Sequence, residues 1–147
     1  MKRFALLALV VLLSAATLAL APASPATSGQ AVTINSQIQT GPFTGTWTAT
    51  GAIADSGALI EPNVNFVGNG QLHIVRVFTG AQGTITIRIE STLNSVVGDT
   101  GTFTGHWVVV SGTGAYANLH GQGLRAATID VNTGIVTETL TGEGHFD

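Results

Sequence analysis

From Ala31 to Phe146 the chain is written in steps of two. Runs rich in Thr, Val and Ile alternate apolar with polar residues. No window of about eleven residues or more keeps the ~3.6-residue apolar period of a helix. A period of two sends successive side chains to opposite faces of a strand, so this pattern commits the chain to half-buried β-structure. Eight strands are expected, at Ala31–Gln39, Phe43–Ile53, Ala58–Val67, Leu72–Thr79, Thr84–Thr92, Thr102–Ser111, Gly121–Asp130 and Ile135–Phe146. Pro62 lies inside the third and points there to an edge position or a bulge. The breaks are turn sequences: Gly68-Asn69-Gly70, Gly80-Ala81-Gln82-Gly83, Gly98-Asp99-Thr100-Gly101 and Asn132-Thr133-Gly134. Connections this short join antiparallel neighbours, because parallel strands need long crossovers. The architecture is therefore a barrel or a sandwich. An eight-stranded antiparallel up-and-down barrel is the expected form, since closure removes exposed edges that a chain with 9% charged residues cannot guard.

The start of the chain does not fit this pattern. Lys2 and Arg3 precede an apolar run, Phe4 to Leu20, which is followed by Ala21-Pro22-Ala23-Ser24-Pro25-Ala26. A basic, then apolar, then small-residue order is that of a secretory signal peptide. Cleavage is expected after Ala23 or Ala26, so residues 1–26 form the leader and 27–147 a single β-barrel domain. The apolar run is shorter than the ~20 residues that span a bilayer, and an uncleaved anchor is the less favoured reading. The expected destination is extracellular, with no membrane attachment after cleavage.

Loss of the leader removes the one lysine and leaves Arg76, Arg88 and Arg125 against eight acids. Such a surface lacks the positive charge that nucleic-acid binding requires. It also excludes a Schiff-base lysine and a phosphate-binding P-loop. The absence of Cys excludes disulfides, thiolate metal sites and a cysteine nucleophile.

One internal repeat stands out. Gly41-Pro42-Phe43-Thr44-Gly45-Thr46-Trp47 is matched by Gly101-Thr102-Phe103-Thr104-Gly105-His106-Trp107. Strand parity sets Phe43, Gly45 and Trp47 inward and Thr44, Thr46 and Thr48 outward. The threonine-rich face is either solvated or the wall of a homo-oligomer.

The stretch Gly105-His106-Trp107-Val108-Val109-Val110-Ser111-Gly112-Thr113-Gly114-Ala115-Tyr116-Ala117-Asn118-Leu119-His120-Gly121-Gln122-Gly123 runs from a strand through S-G-T-G-A-Y into an L-x-G-x-G re-entry. It resembles the allene oxide cyclase barrel-like family, and dirigent proteins are similar to it in fold. The likeness extends over Thr102–Phe146, with a looser fit before that, and the leader matches a secreted bacterial member rather than a plastid enzyme. It implies an eight-stranded barrel, trimeric in the plant relatives. It also implies cofactor-free steering of an apolar, reactive intermediate through ring closure in the lumen. No motif aligns with the family's catalytic residues, so none is carried over.

Local motifs for other chemistries are weak. Gly112-Thr113-Gly114-Ala115-Tyr116-Ala117 fits a dinucleotide-binding spacing, but Gly121 and Gly123 deny it the helix that must follow, and a barrel turn is the better reading. His73, His106, His120 and His145 are not spaced as metal ligands, and solvated histidines are expected, so no metal or other cofactor is anticipated. No G-x-S-x-G elbow is present.

Two charges fall on apolar faces. Glu138 shares parity with Val136 and Leu140, and Arg76 with Leu72, Ile74 and Phe78. Buried ions must find partners or neutralise. Glu138 and Arg76 are thus expected as polar groups of the lumen near Trp47, Trp107 and Tyr116, with Glu138 the candidate catalytic acid. A bulge that reverses parity, or an ion pair at the barrel mouth, is the competing arrangement. Three functions follow: lumenal binding of a small apolar molecule, which leads; cyclase or isomerase chemistry of the allene oxide cyclase-like type; or a structural or interaction protein whose core is filled.

Overall fold

The computed structural model describes residues 28–147. The strands are β1 (Gln30–Gln39), β2 (Thr44–Gly51), β3 (Asp55–Gly68), β4 (Gln71–Gly80), β5 (Thr84–Val97), β6 (Thr100–Gly112), β7 (Leu119–Asp130) and β8 (Ile135–Phe146). One 3-10 turn, Gly114–Tyr116, stands between β6 and β7. Each strand pairs antiparallel with the next, and β8 returns to β1, which closes the sheet into an up-and-down barrel. The leader expected at residues 1–26 lies outside the described residues.

All eight expected strands form, and the differences lie at their ends. Phe43 leaves β2 because it adopts φ 54°, a turn conformation. β5 runs on to Val97, beyond the expected end at Thr92. Pro62 marks a bulge: β3 pairs Ile60 with Val77 and then Asn63 with Val75, so Glu61 and Pro62 together oppose Arg76. Pro has no N–H for the ladder, and the extra residue absorbs that loss. The bulge also resets parity, so that Leu59 before it and Val64 after it both turn inward.

The short repeat is the visible part of a larger one. Trp47 on β2 lies opposite Gly57 on β3, which lies opposite Gly80 on β4, and the Trp47 indole N–H donates to the Thr79 carbonyl at 3.2 Å. Trp107 on β6 lies opposite Gly123 on β7, which lies opposite Gly142 on β8, and its indole N–H donates to the Thr141 carbonyl, also at 3.2 Å. A Cβ at Gly57 would stand 2.0 Å from the Thr79 oxygen, and one at Gly123 would stand 1.9 Å from the Thr141 oxygen. Only glycine lets the neighbouring strand come so close. The four-stranded halves β1–β4 and β5–β8 thus repeat one design.

The lumen is filled at the end carrying the β2–β3, β4–β5 and β6–β7 connections. Trp47, Phe78, Ile85, Trp107, Tyr116 and Leu119 are all buried there. Trp47 packs against Phe78 with ring centres 5.0 Å apart. Asp55 clasps this end shut. Its carboxylate accepts from the N–H groups of Ser56 (2.8 Å), Ala81 and Gln82 (both 3.1 Å) and from the Tyr116 hydroxyl (2.8 Å). Burial works against its charge, but the bonds from Tyr116, Ser56, Gln82 and Ala81 outweigh that and hold the carboxyl below its ordinary value. Burial, with Asp55 as acceptor and neighbouring charge, pushes the Tyr116 hydroxyl up. A carboxyl depressed on folding stabilises the fold above its unfolded pKa and ceases to do so as pH falls through the folded one. Urea denaturation is therefore expected to show stability declining below about pH 4, with a shallower decline in Asp55→Asn. Equal slopes would remove Asp55 from the acid response.

Candidate functional site

Four charged side chains cross the lumen midway along the barrel. Arg76 comes from β4, Glu138 from β8, Arg125 from β7 and Glu61 from the β3 bulge. Each is delivered by strand parity: Arg76 stands between Ile74 and Phe78, Glu138 between Val136 and Leu140, and Arg125 two residues before Ala127, all buried. Arg76 Nη1 donates to Glu138 Oε1, and Nη2 reaches Glu138 Oε2 at 3.3 Å. Arg76 Nε donates to Glu61 Oε1 at 3.0 Å, and Nη2 also donates to that oxygen. Arg125 Nε donates to Glu138 Oε2 at 2.6 Å, while its Nη1 donates to Ser91 Oγ at 2.6 Å. Ser91 Oγ in turn donates to the Thr104 carbonyl at 3.1 Å. Arg76 is 0% exposed and Glu138 2%. Such charges persist only when paired and hydrogen-bonded.

Burial lowers the Arg76 pKa, with Glu61 opposing the shift. Arg125 is lowered to about 10, by burial first and by the charge of Arg76 second, against the pull of Glu61. Each guanidinium also lies beside an aromatic ring, Arg76 over Phe78 and Arg125 over Phe103, both at 5.7 Å from the ring centre.

This charged layer divides the lumen. Beyond it, toward the β1–β2, β3–β4, β5–β6 and β7–β8 turns, lies an open cup of about 290 Å³. Its wall is apolar but for Thr40, with Ile38, Val64, Leu72, Ile74, Phe103 and Val136, and its floor is polar, with Glu61 and Arg125. Around its mouth Phe66, Val96, Val97 and Val131 are exposed. Two broader hollows, of about 510 and 610 Å³, lie on the outer wall and share Glu90 and His106. They are more open to solvent than the cup. Enclosure and apolar walls make the cup the better small-molecule site.

The five residues expected to share the lumen divide between the charged layer and the filled half. Arg76 and Glu138 meet directly. Trp47, Trp107 and Tyr116 are buried in the filled half, with their polar hydrogens donated to Thr79, Thr141 and Asp55, and none of the three lines the cup. Glu138 lies beneath the cup rather than on its wall, and both of its oxygens accept from guanidiniums. Sequence reasoning missed Glu61, Arg125 and Ser91. Arg125 was legible by its parity with Ala127 and Ile129. Glu61 shares parity with Leu59 up to the bulge at Pro62.

His106 is exposed, as its parity requires. His120 and His145 lie opposite each other on β7 and β8 with rings stacked 5.2 Å apart, a proximity their sequence separation hides. Among the described residues no three His, Asp or Glu side chains group closely enough to hold a metal ion. No helix of the described residues is long and apolar enough to cross a membrane. No family model, curated protein or solved structure matches the chain.

Proposed function

We propose that the protein binds a small apolar molecule in the open half of its lumen. The observation that carries this reading is the cup of about 290 Å³, its wall apolar but for Thr40 and its floor charged. A mostly apolar pocket with a few fixed polar groups is what small-molecule recognition needs. The exposed apolar rim of Phe66, Val96, Val97 and Val131 gives such a molecule a favourable entry. The likeness of Gly105–Gly123 to the allene oxide cyclase-like barrels is in keeping with a lumenal ligand, and we read the protein as secreted, its leader ending at Ala23 or Ala26.

Binding is favoured over cyclase or isomerase chemistry because Glu138, the candidate acid, is held by Arg76 and Arg125 and is not on the cup wall. A purely structural role accounts for the filled half and leaves the cup without a purpose.

Titration with N-phenyl-1-naphthylamine, a neutral fluorophore that brightens in apolar surroundings, tests the reading. Saturable brightening is expected. Ile74→Trp places a larger ring in the cup and is expected to weaken the signal at least tenfold. A flat titration, or equal affinity in Ile74→Trp, would overturn the proposal.

A further inference from the structure

We propose that the cup selects apolar molecules bearing one uncharged head that both donates and accepts a hydrogen bond, a primary alcohol being the simplest. This rests on the reading that the cup binds a ligand at all, and adds which kind. Glu61 and Arg125 form the polar floor. The hydrogen bonds within the charged layer occupy Glu61 Oε1 twice, and Arg125 Nε and Nη1. Glu61 Oε2 and Arg125 Nη2 take no part in them. The floor therefore offers one carboxylate acceptor and one guanidinium donor, the two ends of the series Glu61–Arg76–Glu138–Arg125, which both line the cup. A hydroxyl oxygen satisfies both, donating to Glu61 while accepting from Arg125.

Other heads fit less well. A carboxylate would pair with Arg125 but confront Glu61. An ammonium would pair with Glu61 but confront Arg125. Two arginines against two glutamates leave no surplus charge to compensate either ion. A hydrocarbon would cover both groups and bond to neither, which forfeits their solvation. The cup's volume sets the size. At roughly 30 Å³ for each non-hydrogen atom, the share of a water molecule in the liquid, it takes about ten such atoms. Longer molecules would project past the rim.

Four compounds with one ring and four heads separate the possibilities: 4-isopropylbenzyl alcohol, p-cymene, 4-isopropylbenzoate and 4-isopropylbenzylamine. Each is titrated into the protein by calorimetry, with the methyl resonances of Ile38, Leu72 and Ile74 reporting the location. The alcohol is expected to bind at least tenfold tighter than each of the other three. Glu61→Gln deletes one negative charge from the floor, so in that variant the benzoate is expected to overtake the alcohol. A structural role for Glu61 would weaken all four ligands and leave their order unchanged. If p-cymene or either ion matches the alcohol in the wild-type protein, the head-group inference falls while cup binding stands. If none of the four moves the cup methyls, cup binding falls with it. The wild-type series decides even where Glu61→Gln does not fold.

Discussion

Glu138→Leu is expected to lower stability by about 3–5 kcal/mol, the typical cost of leaving a buried ionic partner uncompensated. Glu138 accepts from Arg76 through both oxygens and from Arg125 through Oε2. Its removal leaves Arg76 with Glu61 alone and Arg125 with no ion-pair partner. Against a total stability of about 5–15 kcal/mol, a loss of that size approaches global unfolding. The same argument predicts a rescue. Arg76→Met combined with Glu138→Leu removes one charge of each sign, but it also takes from Arg125 its ion-pair partner and leaves Glu61 to act on it by charge alone. Buried ion pairs exchanged for apolar residues of similar volume are often neutral in stability. The double variant is therefore expected to recover part of the loss, the share owed to Arg76. Denaturant titration of the three proteins measures this. A Glu138→Leu midpoint equal to wild type would mean that the charged layer does not hold the barrel together.

Trp107→Ala is expected to cost a further and independent sum, about 3–5 kcal/mol, the range for emptying a buried aromatic site. Trp107 is 2% exposed and its indole N–H satisfies the Thr141 carbonyl. Its walls are strands closely paired through Gly123 and Gly142, so they cannot collapse freely onto the void. The variant also separates two roles for this residue. Trp107 belongs to the filled half, so affinity for a cup ligand is expected to stay within about twofold while the denaturation midpoint falls. A parallel loss of affinity at a temperature where the variant is still folded would place Trp107 in the ligand site.

Strand number, strand order and the inward placement of Arg76 and Glu138 were legible because each depends on a period of two and on turn residues, both local properties. Barrel closure was a matter of elimination, since the pairing of β1 with β8 joins the two ends of the domain and leaves no local trace. Trp47 and Trp107 read correctly as inward, but parity gives the face of a residue and not its depth along the barrel axis. Depth decides that they pack in the filled half and not on the cup. Glu61 was obscured by the bulge at Pro62, where one additional residue ends the alternation that would have identified it. Tyr116 lies outside any strand, so no periodicity could locate it. Its place is fixed by Asp55, 61 residues away.

The two halves of the barrel agree at their tryptophans and glycines and disagree in the charged layer. Arg76 lies four residues before Gly80, and Glu138 lies four before Gly142. Each half carries an ion pair of its own, Arg76 with Glu61 in β1–β4 and Arg125 with Glu138 in β5–β8. Neutrality is therefore met within each half. The bond from Arg76 to Glu138 is the one that crosses between them, and it exists because the two copies differ at that station. The layer under the cup thus works as a seam, fastening one copy of the repeat to the other across the lumen.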